Sequence, residues 1–486
     1  MTLTPTPQGQ IAGIVDGARA AFRAGRTRPL AWRRATLRRI QELLGEHEER
    51  LLAALAADLG KPALEAWITE MGFCVTDVDH TLAHLDGWAR PSRVATPVTF
   101  QPGSSHIHPE PLGVVAVIAP WNYPVQLLIA PACAAIAAGN AAVLKPSELA
   151  PNTAAALGAL VDDLADPAVV AVQGGVAETT ELLTQRFDHI VYTGNGNVAR
   201  IVMRAAAEHL TPVTLELGGK SPTIVSRHAD VGVAAKRIAW GKFVNAGQTC
   251  IAPDYVLVEQ PVHDELVAAI GAAITELYGD DPRASADYGR IVNDSHFHRL
   301  EKLLHSGTVA HGGQADADAR YIAPTVLTGI TLDDPPMAEE IFGPVLPVIA
   351  VDSLDDAVAV VNGGDHPLAL YVFSEDDDET GKVVASATSG GACVNGTLMH
   401  VANPNLPFGG VGPSGMGAYH GRAGFDRLSH HRSVFTRSTK LDPALLYPPY
   451  TESKSKMVKR GLRIPDPREA LASATAKVRR AITHRS

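Results

Sequence analysis

Four cysteines, Cys74, Cys133, Cys250 and Cys393, are scattered through 486 residues. No CxxC spacing joins any two of them, which argues against a zinc site or a disulfide framework. Cys250 stands apart from the others. It lies in "VNAGQTCIAPDYVLV", where a polar Gly/Gln/Thr turn gives way to an apolar, strand-like run. Backbone N–H groups of such a turn can face a ligand, so a thiol placed there is a candidate nucleophile. Cys133 in "APACAAIAAG" and Cys393 in "GGACVNGT" have small or apolar neighbours and are expected to pack, while Cys74 carries no signal.

A second chemical feature is "HIVYTGNGNVARIV", His189 to Val202. It has the form of a strand, a glycine turn and a helix start, and Gly194, Gly196 and Ala199 fit the G-x-G-x-x-G/A dinucleotide fingerprint. That fingerprint expects an acid about twenty residues on, and Glu216 in "VTLELGGKSP" is near that spacing. Glu216 also follows an apolar run and precedes Gly218-Gly219, which puts it at the carboxyl end of a strand. From there it could serve equally as a ribose ligand or as a catalytic base whose pKa is raised by an apolar setting. His80 and His84 share one helix face, but no third ligand accompanies them and no metal is expected.

The elements that must position these groups follow from periodicity. Residues 12 to 90 read as helical, with Leu37, Ile40, Leu44, Leu51 and Leu55 at helical spacing and Gly60 closing "DLGKP". From residue 113, short β-rich runs alternate with helical stretches: "GVVAVIA", "AAVLK", "AVVAVQG", "HIVYTG", "VTLELGG" and "PTIV". Such alternation predicts a parallel sheet covered by helices, and a second α/β stretch extends from about 220 to 405. "PVQLLIAPACAAIAAGNAAVL", 124 to 144, is long enough to span a bilayer. Pro131, Gly139, Asn140 and its alanines make it read instead as a turn, a buried helix, a Gly-Asn stop and a strand. "SEDDDETG", 374 to 381, reads as a solvated acidic loop. The net charge of −10 argues against nucleic acid as a partner. The start "MTLTPTPQGQ" has no signal-peptide pattern, and the separated cysteines fit a reducing, cytoplasmic setting.

Seven segments occur in an order that resembles aldehyde dehydrogenases: "APWNYP" (119–124), "LKPSE" (144–148), "VYTGNGNV" (191–198), "LELGGKSP" (215–222), "NAGQTCIAPDY" (245–255), "EEIFGPVLPV" (339–348) and "NPNLPFGGVGPSGMGAYHG" (403–421). "WNYP", "QTCIAPD" and "YHG" look like the class 3 branch of fatty and aromatic aldehyde dehydrogenases. The likeness covers about residues 15 to 450. It implies the aldehyde dehydrogenase α/β fold: N-terminal helices and a Rossmann-like NAD-binding domain (1–90 and 108–217), an α/β catalytic domain (218–405), and bridging or oligomerisation segments (91–107 and 406–440). A basic tail, 441–486, follows.

The resemblance also implies roles. Cys250 would attack an aldehyde carbonyl, Asn122 would stabilise the oxyanion, and Glu216 would activate water, which favours the base over the ribose ligand. Lys145 and Glu148 would meet the adenosine ribose of NAD, with NADP as an alternative cofactor. Gly194, Gly196 and Val198 would lie at the pyrophosphate, and Glu340 and Phe342 at the nicotinamide end. The implied reaction oxidises a hydrophobic aldehyde, medium- or long-chain aliphatic or aromatic, to its acid through a thiohemiacetal and a thioester. A CoA-acylating dehydrogenase would not need Glu216, and a cofactor-independent thiol esterase or acyltransferase would need a histidine partner that no motif supplies. The branch implies a homodimer. Ala199 and Gly396 depart from the usual Gly and Asp of class 3. From Leu441 onward, ten Lys/Arg face four Asp/Glu. A helix after Pro467 is expected there, with weak peripheral membrane contact as one use for its basic face.

Overall fold

The structure, a computed structural model, describes residues 3–461. The chain forms two compact units, one running to Trp88 and resuming over Pro111–Ser429, the other formed by Ala89–Glu110 and the chain from His430. The first opens with the helices Gln8–Arg23, Leu30–Glu46, Glu48–Leu59 and Gly72–Ala89. Leu37, Ile40, Leu44, Leu51 and Leu55 are all buried, as their spacing predicts. Gly60 ends the third helix with φ +60°, the left-handed geometry that favours glycine. A five-residue π-helix, Trp67–Met71, interrupts the helical run before Gly72.

Two sheets follow. The first has six strands in the order Gly415–Met416, Val213–Leu217, His189–Gly194, Val114–Ile118, Ala141–Lys145 and Val169–Ala171. All neighbours pair in parallel except Gly415–Met416, which runs antiparallel to Val213–Leu217. Val114–Ile118 and Ala141–Lys145 are buried throughout, which explains the unbroken apolar runs over 114–118 and 141–144. The helix Gln126–Ala138 is buried on every face and stops at Gly139 (φ +90°), where a Cβ would lie 2.5 Å from the Arg33 guanidinium. Segment 124–144 is therefore core. No helix among the described residues is long and apolar enough to cross a membrane.

The second sheet has seven strands in the order Thr308–His311, Thr325–Thr328, Val345–Val351, Tyr255–Glu259, Pro222–Val225, Ala369–Phe373 and Gly391–Val394. The acidic run 374–381 differs from its expected loop: it opens the helix Asp377–Ser386. Asp376 accepts the Asp378 and Glu379 amides, and three acids occupy the first turn. Carboxylates are favoured at that positive end, so the charges serve the helix rather than merely solvate a loop.

The second unit contains a three-stranded sheet in the order Ser92–Val94, Gly103–Pro111, Ser429–Arg437, and a helix Glu452–Gly461. The helix expected after Pro467 lies outside the described residues.

Candidate active site

Register brings the motifs together. Ile118 is level with Lys145 and with Tyr192, Thr193 with Glu216, and Gly194 with Leu217. The turns that follow these residues therefore leave one carboxyl edge of the six-stranded sheet, where α/β folds place ligands. In the other sheet Tyr255–Glu259 and Val345–Val351 are parallel neighbours. The thiol turn and the Glu340–Phe342 segment precede these strands, so both sit at the amino edge of that sheet. A cavity of about 540 Å³ joins the two edges. Asn122, Lys145, Glu148, Gly194, Val198, Glu216, Cys250, Glu340 and Phe342 all line it.

Cys250 is half-buried against the apolar core built on the seven-stranded sheet, the second core of the chain. Its turn is unusual: Asn245, Ala246 and Gly247 have φ of +53°, +51° and +74° in succession. Such geometry is strained for Ala246 and persists only when its surroundings over-determine it. A Cβ on Gly247 would lie 2.3 Å from the Gly343 carbonyl oxygen, so this turn can press against the Phe342 loop only with glycine there. Burial raises the Cys250 thiol well above its ordinary range, and the carboxyls of Glu216 and Glu340 raise it further; its own main-chain N–H opposes this.

Glu216 is 1 % exposed. Its pKa is pushed up to about 7 by burial, against the opposing pull of the Cys250 thiol and the Thr193 hydroxyl that face it. Its Oε1, the Thr193 Oγ1 and the Tyr419 hydroxyl lie in one buried polar cluster, with Thr193 facing both neighbours, but none of the three atoms meets the distance and angle of a full hydrogen bond. A buried cluster bonded so loosely marks a place for water or a reacting oxygen. Asn122 is also buried, and its Nδ2 donates to the Gln248 carbonyl at 3.1 Å, which leaves its second N–H free.

Glu340 is held over the glycine pair. A Cβ on Gly218 would lie 2.0 Å from Glu340 Oε2, and the Gly219 amide donates to the same carboxyl. Burial, with Asp254 and Glu216 nearby, raises its pKa well above the usual carboxylate range. A pair not assigned from sequence organises this loop. Lys220 is ion-paired with Asp254 and donates to the carbonyls of Pro336 (2.7 Å) and Glu339 (3.0 Å). The other oxygen of Asp254 accepts the Ile341 amide at 2.9 Å. Both charges stood in quoted motifs, "ELGGKSP" and "IAPDY", and a charge inside an apolar run was the signal that could have found them.

The fingerprint region departs from the simplest expectation. Gly194 does line the cavity, and a Cβ there would lie 2.3 Å from the Tyr192 hydroxyl. Gly196 is the first residue of its helix and does not line the cavity. The amides of Asn197 and Val198 are capped by the Asn195 side chain at 3.0 Å each, so this helix end does not present them freely to a phosphate. Lys145 is buried, bonded to the Pro146 carbonyl at 2.7 Å and 3.7 Å from Glu148. The sequence had not singled out the walls beyond Glu148. Leu149, Val176 and Ile201 are exposed at 41 %, 79 % and 52 %, an apolar rim suited to a flat heteroaromatic ring. Trp121 meets Phe342 edge-on at 5.4 Å and His296 at 5.2 Å at the other end.

The remaining candidates resolve plainly. Cys74 and Cys133 are buried, and Cys393 packs against the second core with its sulfur 3.2 Å from His400 Nδ1. The His80 and His84 rings meet tilted at 4.3 Å, and His84 stacks on Trp88 at 5.7 Å.

The Aldehyde dehydrogenase family pattern matches residues 3–434. The chain is 48 % identical over 442 residues to the dimeric, NADP-preferring aldehyde dehydrogenase of Mus musculus, covering 90 % of this chain and 98 % of that protein. It is 47 % identical over 444 residues to aldehyde dehydrogenase family 3 member A2 of Mus musculus, covering 91 % and 92 % respectively. The substrate-bound structure of Staphylococcus aureus AldH superposes with a TM-score of 0.91 at 44 % identity, over 93 % of this chain and 99 % of that one. The chain belongs to the aldehyde dehydrogenase family, as a class 3-like, NAD(P)-dependent oxidoreductase.

Proposed function

We propose that this cavity oxidises a hydrophobic aldehyde to its carboxylic acid by covalent catalysis on Cys250. One observation carries the assignment: a thiol and a carboxyl, each with its pKa raised by burial, face each other in one cavity that the Asn122 amide also lines. The thiol passes its proton to solvent as the sulfur attacks, which leaves Glu216 free for the later step. The sulfur adds to the carbonyl carbon, and the oxyanion takes hydrogen bonds from Asn122 Nδ2 and the Cys250 main-chain N–H. Bound NAD(P) supplies the hydride acceptor that converts this adduct into a thioester on Cys250. Glu216 then removes a proton from water, which adds to the thioester; the adduct releases the acid by expelling the Cys250 sulfur, and the proton held by Glu216 passes to that sulfur. Thr193 and Tyr419 are placed to orient that water.

The cofactor fits the donor set. Glu148, with Lys145 behind it, suits a ribose diol, the apolar rim suits the adenine, and Glu340 and Phe342 suit the nicotinamide end. A free diol is favoured over a 2′-phosphate, because Glu148 would repel the latter. Retention of Glu216 beside the thiol speaks against a CoA-acylating reaction, which has no need of a base for water. The deciding experiment is NAD(P)H formation by the purified protein across aliphatic and aromatic aldehydes, with and without CoA. Acid should form without CoA; ester turnover in the absence of cofactor, with no aldehyde oxidation, would overturn the assignment.

The working form is a homodimer, on the strength of the class 3 likeness, and the separated cysteines favour a reducing cytoplasm; light scattering tests the stoichiometry. The exposed helix Glu452–Gly461, with Lys454, Lys456, Lys459 and Arg460, begins a basic tail. Weak, salt-sensitive contact with an anionic membrane is its proposed use. Co-sedimentation with anionic vesicles at low salt, lost on truncation after Tyr450, tests it.

A further inference from the structure

The turn that carries Asn122 is held from outside by two N-terminal residues that belong to none of the family motifs. Lys61 and Glu70 have fully buried side chains and form an ion pair at 2.6 Å. Lys61 Nζ also donates to the Asn122 main-chain carbonyl at 3.0 Å and lies 4.1 Å from the centre of the Tyr123 ring. The second oxygen of Glu70 accepts the amides of Val125 and Gln126, each at 2.9 Å. These amides open the helix Gln126–Ala138, which has no side-chain cap of its own. Glu70 therefore caps, from a distant helix, an N-terminus that favours a negative charge.

One ion pair thus grips the turn at both ends. Asn245 Nδ2 donates to the same Asn122 carbonyl at 2.9 Å, and the Asn245 amide is held by Glu65 at 2.9 Å. The thiol turn and the Asn122 turn are thereby tied to one buried polar network. Two further facts favour a purpose beyond packing. Glu70 sits in the π-helix Trp67–Met71, and π-turns are frequent at functional sites. A buried ion pair also adds little net stability compared with apolar residues of the same volume, so stability alone gives weak reason to keep one. Burial pushes the Glu70 carboxyl up, while Lys61 and the two amides oppose that push.

We propose that Lys61 and Glu70 are positioning residues for the oxyanion donor: together they fix the main chain of 122–126 so that the Asn122 amide stays aimed at the substrate oxygen on Cys250. This rests on the aldehyde-oxidising assignment of the same site. The loss of a correctly placed donor slows such a step by about 100- to 1000-fold, and a donor that is present but loosely held costs less.

The test uses Lys61→Met/Glu70→Gln, which removes the pair without stranding one buried charge. Rapid mixing should show first-turnover NADH formation slowed by roughly 10- to 100-fold, with cofactor KM little changed. In an Asn122→Ala background the same pair of changes should have almost no further effect on that step, because they act through Asn122. Equal slowing in both backgrounds, or an unchanged first turnover with only a lowered Tm, overturns the proposal. Should the double variant not fold, Glu70→Asp, which keeps the charge but withdraws it by one methylene, is read in the same way. Wild-type protein that forms no NADH with any aldehyde would sink the reaction itself, whereas an active wild type with an indifferent variant sinks the positioning role alone.

Discussion

Replacing Glu216 by glutamine should separate its chemical role from its energetic cost. The side chain is 1 % exposed, and its pKa stands at about 7 against an ordinary 4.5. The folded state therefore holds the proton to higher pH than the unfolded chain does. Stability is fully present below pH 4.5, falls as pH rises toward 7, and is level above that. At about 1.4 kcal/mol per pH unit, ionisation at this site removes roughly 3 kcal/mol by pH 8. Glutamine has the same shape and no charge to desolvate. Glu216→Gln should match wild type near pH 4.5 and exceed it by roughly 3 kcal/mol at pH 8. For a chain of this length, with an unfolding entropy of about 2 cal/mol/K per residue, that is a Tm gap of about 3 °C. Thermal scans of both proteins from pH 4.5 to 8.5 measure it. The same variant should keep a rapid first turnover of NADH and lose steady-state rate by about 100-fold or more, because only deacylation needs the base. Wild-type turnover should rise with pH around 7. A Tm gap that is constant across pH, or a variant that loses its first turnover, would refute this account of Glu216.

Cys250→Ala should abolish aldehyde oxidation and leave cofactor affinity within about twofold, read by NADH fluorescence; loss of both would make the residue structural. Glu148→Ala should raise the NADP-to-NAD ratio in kcat/KM by about tenfold, because it removes the carboxylate that would repel a 2′-phosphate. A wild type with clear NADP preference would contradict the role given to Glu148. Lys220→Met should raise cofactor KM by about tenfold with a smaller fall in kcat. It releases the carbonyls of Pro336 and Glu339 and leaves Asp254, 3 % exposed, without its cation. Equal effects on KM and kcat would argue against an effect confined to the Glu340 loop.

What the sequence determined by itself was local. Strand and helix alternation announced parallel sheets, because a strand buried on both faces must be almost wholly apolar, as Val114–Ile118 and residues 141–144 are. Gly139 and Asn140 announced the end of a buried helix, because the left-handed stop needs glycine. A lone thiol in a polar turn and an acid at a strand end were legible as chemistry, and the ordered motifs made the family legible. The tertiary structure decided what spacing does not encode. Spacing alone left Glu216 a ribose ligand or a base, with only the resemblance favouring the base; the tertiary structure sets it level with Thr193 and turns it toward the Cys250 thiol. The fingerprint pattern was present, yet the amides it should free are capped by Asn195. The acidic run 374–381 looked solvated until Asp376 was seen to cap a helix. Lys61 and Glu70 carry no motif, because they act on residues more than fifty positions away. Periodicity reports which face of one element is buried; it says nothing of which distant side chain will meet that face, and a buried charge has meaning only through its partner.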